Sequence, residues 1–123
     1  MKDFRDLQVW SKAHALTLNC YKATSDFPPK SETYGLTSQI RRSAASVAAN
    51  IAEGCGKRTN GDFQRFLGIA AGSASEVEYH FLLARDLGFL DREQYQSLDA
   101  TVVEVKRMLA SLIIKVESDR RAG

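Results

Sequence analysis

Cysteine, proline and histidine are scarce in this chain, with two of each among 123 residues. Two isolated cysteines, Cys20 and Cys55, support neither a disulfide scaffold nor a structural zinc site of their own. Cys20 falls on an apolar stripe in mid-helix and Cys55 at a helix end. Both are expected as reduced thiols packed like small hydrophobes. No apolar run approaches the roughly 20 residues that cross a bilayer, so no membrane partner is expected. The opening Met1-Lys2-Asp3-Phe4-Arg5-Asp6 lacks the apolar stretch of a secretory signal, and a cytoplasmic protein is expected.

Recognisable catalytic chemistry is equally thin. Helical bundles can house di-iron sites built from Glu-x-x-His pairs, but here only Glu76 and His80 share a face, and too few carboxylates point inward. His14 and His80 read as ordinary polar or packing residues, so no metal and no cofactor are expected. No Ser-His-Asp or Cys-His arrangement has a sensible spacing. Gly54-Cys55-Gly56-Lys57-Arg58-Thr59 superficially suggests a phosphate loop. It fails because Arg58 follows Lys57, Ile51 occupies the first glycine position, and a helix rather than a strand precedes it. The chain is expected not to be an enzyme.

What the chain does have is helical periodicity. A first helix is predicted over about 6–25, with Val9, Ala13, Leu16, Cys20, Ala23 and Phe27 on one face, ended by Phe27-Pro28-Pro29. Ser31 is a candidate cap for a short turn over 32–34. A second helix is predicted over about 37–55, with Leu36, Ile40, Ala44, Val47 and Ile51 inward and Gly54 and Gly56 at its end. The third, about 61–87, buries Phe63, Phe66, Ala70, Ser73, Val77, Phe81 and Ala84, and Gly88 closes it. Asp91 and Gln94 form a capping box for the fourth, about 92–118, whose apolar residues from Tyr95 to Val116 alternate in threes and fours. The tail from Ser118 should fray.

Short joints force neighbouring helices antiparallel. Folding the third helix on the fourth about Phe89–Leu90 sets Phe81 against Leu98, Val77 against Val102 and Phe63 against Val116, apolar on apolar. The expected fold is all-α: an antiparallel up-down-up-down four-helix bundle, one domain over residues 1–123. Folding the second helix on the third sets Arg42 opposite Glu76, Glu53 near Arg65 and Asn50 near Leu67. Arg42–Glu76 and Glu53–Arg65 are therefore candidate interhelical ion pairs. Arg42, Asn50, Glu53 and Glu76 read as a register-fixing polar network rather than a site.

The segment YGLTSQIRRSAASVAANIAEGCGKRTNGDFQRFLGIAAGSASE, Tyr34 to Glu76, is the most distinctive part of the chain. Together with FRDLQVW and FPPKSETYGLTSQ, it resembles a family of small bacterial four-helix-bundle proteins encoded in intervening sequences of large-subunit ribosomal RNA genes. The resemblance runs from Phe4 to about Leu90. Related proteins accompany diversity-generating retroelements, where they resemble accessory factors that contact a reverse transcriptase and its RNA through a basic bundle surface. The resemblance also implies a homopentamer with a central channel.

Charge is uneven. Residues 33–61 carry Arg41, Arg42, Lys57 and Arg58 against Glu53 alone, while residues 62–123 carry eight basic and ten acidic residues. Arg41, Lys57, Arg58 and Arg65 are candidate phosphate contacts for RNA or a ribonucleoprotein, with salt-dependent affinity and little sequence reading. The competing reading is solvated surface charge on a protein-interaction scaffold that touches no nucleic acid. Apolar residues left over after the inner stripes are filled (Trp10, Tyr21, Ile69, Ile113 and Ile114, with Leu18 and Leu83) favour a subunit interface and hence a homo-oligomer. A G-x-x-x-G at Gly68 and Gly72 would allow close approach of a neighbouring helix, from the same protomer or another.

Overall fold

A computed structural model describes residues 3–29 and 35–123. A short 3₁₀ turn, Phe4–Asp6, is capped by Asp3, whose carboxylate accepts from the Arg5 backbone N–H at 2.9 Å. Four α-helices follow among the described residues: α1 Gln8–Thr24, α2 Leu36–Cys55, α3 Asn60–Asp86 and α4 Arg92–Ala122. They form an all-α, antiparallel up-down-up-down bundle. α1 packs on α2 and α4, and α3 packs on the same two, so diagonal helices do not meet among the described residues. The cap expected at Ser31 lies outside those residues.

Each helix buries most of the stripe that its spacing marks; on α3, Ala74 is buried in place of Ser73, and Ser73 and Phe63 are half-buried. Val9, Ala13, Leu16 and Cys20 of α1, and Leu36, Ile40, Ala44, Val47 and Ile51 of α2, are buried. So are Ala70, Ala74, Val77 and Phe81 of α3 and Leu98, Val102, Val105 and Leu109 of α4. Each large aliphatic or aromatic side chain so placed stabilises the fold by roughly 1.5–3 kcal/mol. Two cross-links report the α3–α4 register. Lys106 Nζ donates to Glu78 Oε1 at 2.7 Å, and Arg120 Nη1 donates to Gln64 Oε1 at 3.1 Å. Both pairs are centred on Arg92, a little past the Phe89–Leu90 turn, and both join α3 to α4 as antiparallel neighbours.

The helix ends follow local chemistry. Asp91 and Gln94 form the predicted capping box: Gln94 N–H donates to Asp91 Oδ1 at 2.8 Å, and Asp91 N–H to Gln94 Oε1 at 3.0 Å. Gly88, at φ +80°, lets α3 close in a Schellman turn, with Gly88 N–H on Arg85 O and Phe89 N–H on Ala84 O. Thr59 caps α3 by accepting from Asp62 N–H at 3.1 Å. At the bundle end opposite the α2–α3 joint, Phe27 and Phe89 rings meet at 5.3 Å.

Three details depart from expectation. Thr24, not Ala23, takes the buried position on α1, and its hydroxyl satisfies itself on Cys20 O at 2.7 Å. Gly54 does not end α2 but lies buried within it, with Gly56 as the cap. The tail does not fray at Ser118: α4 continues to Ala122, because Arg120 reaches Gln64 and Arg121 Nε reaches Glu117 Oε1 at 3.0 Å.

Candidate nucleic-acid interface

The joint between α2 and α3 gathers cations. Gly56 stops α2, Thr59 starts α3, and Lys57 and Arg58 lie between them. Lys57 Nζ is 5.1 Å from the Phe66 ring centre and Arg65 Cζ is 4.6 Å from the same ring. One buried aromatic thus positions two cations by their attraction to its π-face. Arg58 is exposed. α4 brings two more: Lys115 lines the same hollow as Lys57 and Arg58, and the Arg120 guanidinium lies beside Gly61. The first turn of α3 adds backbone N–H groups without helical acceptors, which favour anions. Glu117 sits nearby, held below the usual carboxylate range first by a hydrogen bond from Gln64 and then by Arg121.

Arg41 does not join this group. It lies sixteen positions before Lys57 on nearly continuous helix, about 24 Å away at 1.5 Å per residue. Its Nε donates to Thr24 Oγ1 at 2.8 Å and its Nη2 to Tyr21 O at 3.3 Å, and its guanidinium lies 4.7 Å from the Tyr21 ring centre. Arg41 therefore clamps α2 to the end of α1. A phosphate contact was expected of Arg41; a local hydroxyl, a carbonyl and a ring capture it instead.

Of the polar network expected between α2 and α3, Asn50 takes part and Arg42, Glu53 and Glu76 do not. Arg42, Glu53 and Glu76 are exposed, and the ion pairs among the described residues include neither Arg42–Glu76 nor Glu53–Arg65. The link runs through small side chains: Ser46 Oγ and Ser73 Oγ are 2.9 Å apart, and Asn50 Nδ2 donates to Ser46 O at 2.8 Å and Ser46 Oγ at 2.9 Å. Glu76 approaches His80 instead, at 3.9 Å from Nε2. His80 is buried and its Nδ1 has no hydrogen-bond partner among the described residues. Burial holds its pKa below the usual imidazole value; Arg42 pushes the same way and Glu76 opposes.

Residues 5–111 match the family described as 23S rRNA-intervening sequence protein. The chain belongs to this family. It is also similar to a solved structure, a protein of unknown function from the S23 ribosomal protein family of Bacteroides thetaiotaomicron. That likeness has a TM-score of 0.77 at 30% sequence identity and covers 85% of this chain and 97% of the other. No curated protein matches the chain. The family and the four-helix fold thus agree with the resemblance carried by the Tyr34–Glu76 segment.

The residues expected at a subunit interface divide into two sets. Tyr21, Ile69 and Ile114 are exposed, Ile114 to 70%. Trp10 and Ile113 are half-buried against their own core. Trp10 is also covered by Phe4, 4.8 Å away edge-on, and by His14, stacked at 4.9 Å. Tyr79 and Leu87 are further exposed apolar residues, off the inner stripes. Among the described residues, no atom lies within 4 Å of a Cβ added at Gly68 or Gly72, so none of the four helices approaches them. Lys115 and Arg120 were the missed members of the basic cluster. The register that sets Phe63 against Val116 also carries Lys115 to the joint, so the signal for it lies in the helix spacing.

Proposed function

We propose that this chain is a non-enzymatic, homo-oligomeric helical bundle that binds RNA or a ribonucleoprotein through its basic joint end. The observation that carries this reading is the convergence of Lys57 and Arg58 from the joint, Arg65 from α3, and Lys115 and Arg120 from α4 at one end of the bundle, beside the α3 N-terminus. Such a cluster suits phosphate oxygens, which need positive charge and N–H donors but no base-specific groups. Membership of a family tied to 23S rRNA genes makes RNA the natural polyanion. A ring of protomers, five in number by the resemblance, would repeat the cluster. The protein acts in the cytoplasm and needs no cofactor.

The test is binding to a structured ribosomal RNA fragment across a salt series. Affinity should fall steeply with salt, and Arg58→Glu with Lys115→Glu should flatten the slope by about two phosphate contacts. Arg41→Glu, on the α1–α2 clamp, should leave the slope nearly unchanged. Absence of binding at low salt would remove the reading. The exposed Ile69, Tyr79 and Leu87 favour a second reading, a scaffold that docks a partner protein. That reading predicts the same complexes with the basic cluster reversed.

A further inference from the structure

Beside the joint lies a hollow of about 280 Å³. Leu7, Phe63, Leu112 and Val116 give it an apolar lining, and Lys57, Arg58 and Lys115 supply cations. A more open hollow of about 400 Å³ shares Thr59, Asn60 and Asp119 with the first and adds Arg120. The two make one groove across the first turn of α3. Phosphate contacts alone would need no apolar hollow, so the groove has a feature that backbone binding leaves unused.

The ligand that matches it has a flat apolar body, negative charge beside that body, and a continuation past it. The first hollow lies just below the ~300–1,000 Å³ of pockets for drug-sized ligands, so it suits one ring system rather than a folded peptide. Phe63 offers an aromatic wall of the kind on which bases stack. Asp119 and Thr59 offer oxygen acceptors for exocyclic amino groups. Arg120, further along, extends the positive track. Bases in a paired A-form helix are stacked inside and cannot enter, whereas an unpaired base can be splayed out. Resting on the RNA reading above, we propose that this groove takes single-stranded RNA, with one unstacked base in the apolar hollow and the flanking phosphates on Lys57, Arg58 and Lys115.

The experiment uses the full chain and two labelled RNA probes with equal numbers of phosphates, an unstructured oligonucleotide and a closed hairpin, compared by fluorescence anisotropy at one salt concentration. The single strand should bind about tenfold tighter, the scale of one base–aromatic stack. Leu112→Trp fills the hollow from a half-buried position. With helicity unchanged by circular dichroism, it should cost the single strand about tenfold and leave the hairpin within about twofold. Lys115→Ala, at an exposed position, should weaken the single strand more than the hairpin and gives a second reading should Leu112→Trp disturb folding. Equal affinity for both probes, unaffected by either variant, overturns the groove while leaving RNA binding intact. Competition by adenosine monophosphate as strong as by the oligonucleotide overturns the strand in favour of a free nucleotide. Failure to bind either probe at low salt removes the groove and the RNA reading together.

Discussion

A methyl group at Gly54 would stand 2.9 Å from Phe66 Cβ, closer than real Cβ atoms approach. The contact lets α2 lie against the first turns of α3, and Phe66 in turn holds Lys57 and Arg65. Gly54→Ala gains about 1 kcal/mol of helix propensity but forces a backbone shift costing about 1–3 kcal/mol, so urea unfolding should show a net loss. Gly72→Ala meets nothing within 4 Å and should raise protomer stability by up to about 1 kcal/mol. Equal effects from the two substitutions would contradict the packing role of Gly54.

His80 links stability to pH. Its folded pKa lies below the ordinary 6.5, chiefly through burial and then Arg42, with Glu76 opposing. Well above pH 6.5 it is neutral in both states and its titration leaves stability unchanged. As pH falls below 6.5, the unfolded chain takes up the proton first, and stability is lost until the folded pKa is reached. His80→Leu removes the titration and the unpartnered Nδ1. Thermal melts at pH 7.5 and 5 should show the variant's advantage growing in acid, and a constant gap would count against the assignment.

Cys20 is fully buried, and burial pushes its thiol up to about 12. Thiolate is the reactive form, so Cys20 should resist iodoacetamide in native buffer and react once denaturant opens the bundle. Mass spectrometry of the digested protein locates the label. Alkylation of Cys20 without denaturant would mean that α1 leaves the bundle readily.

Ile114 and Ile69 test self-association. Substitution of either by Lys at an exposed site should change protomer stability by no more than about 0.5 kcal/mol. If these residues meet another copy, the same changes should lower the sedimenting mass of the assembly. An unchanged mass in the double variant would place the subunit contact elsewhere.

The amino-acid sequence by itself determined the helices, their caps and their antiparallel order. These rest on many cooperating residues: a stripe such as Val77–Phe81–Ala84 against Leu98–Val102–Val105 leaves one inward face for each helix, and Asp91 with Gln94 satisfies donors within its own turn. The sequence also carried the family, through a long joint segment rather than any single motif. Tertiary structure alone decided which polar side chains meet. Long charged side chains on helix surfaces choose among several partners for about 1 kcal/mol or less, so helical register could not say that Arg41 would turn to Thr24 and Tyr21. Nor could it say that serines would take the place of Arg42 and Glu76 between α2 and α3. The groove is the strongest case: Lys57 and Lys115 line it together although nearly half the chain separates them, because packing of α4 against α3 brings its last turns to the joint.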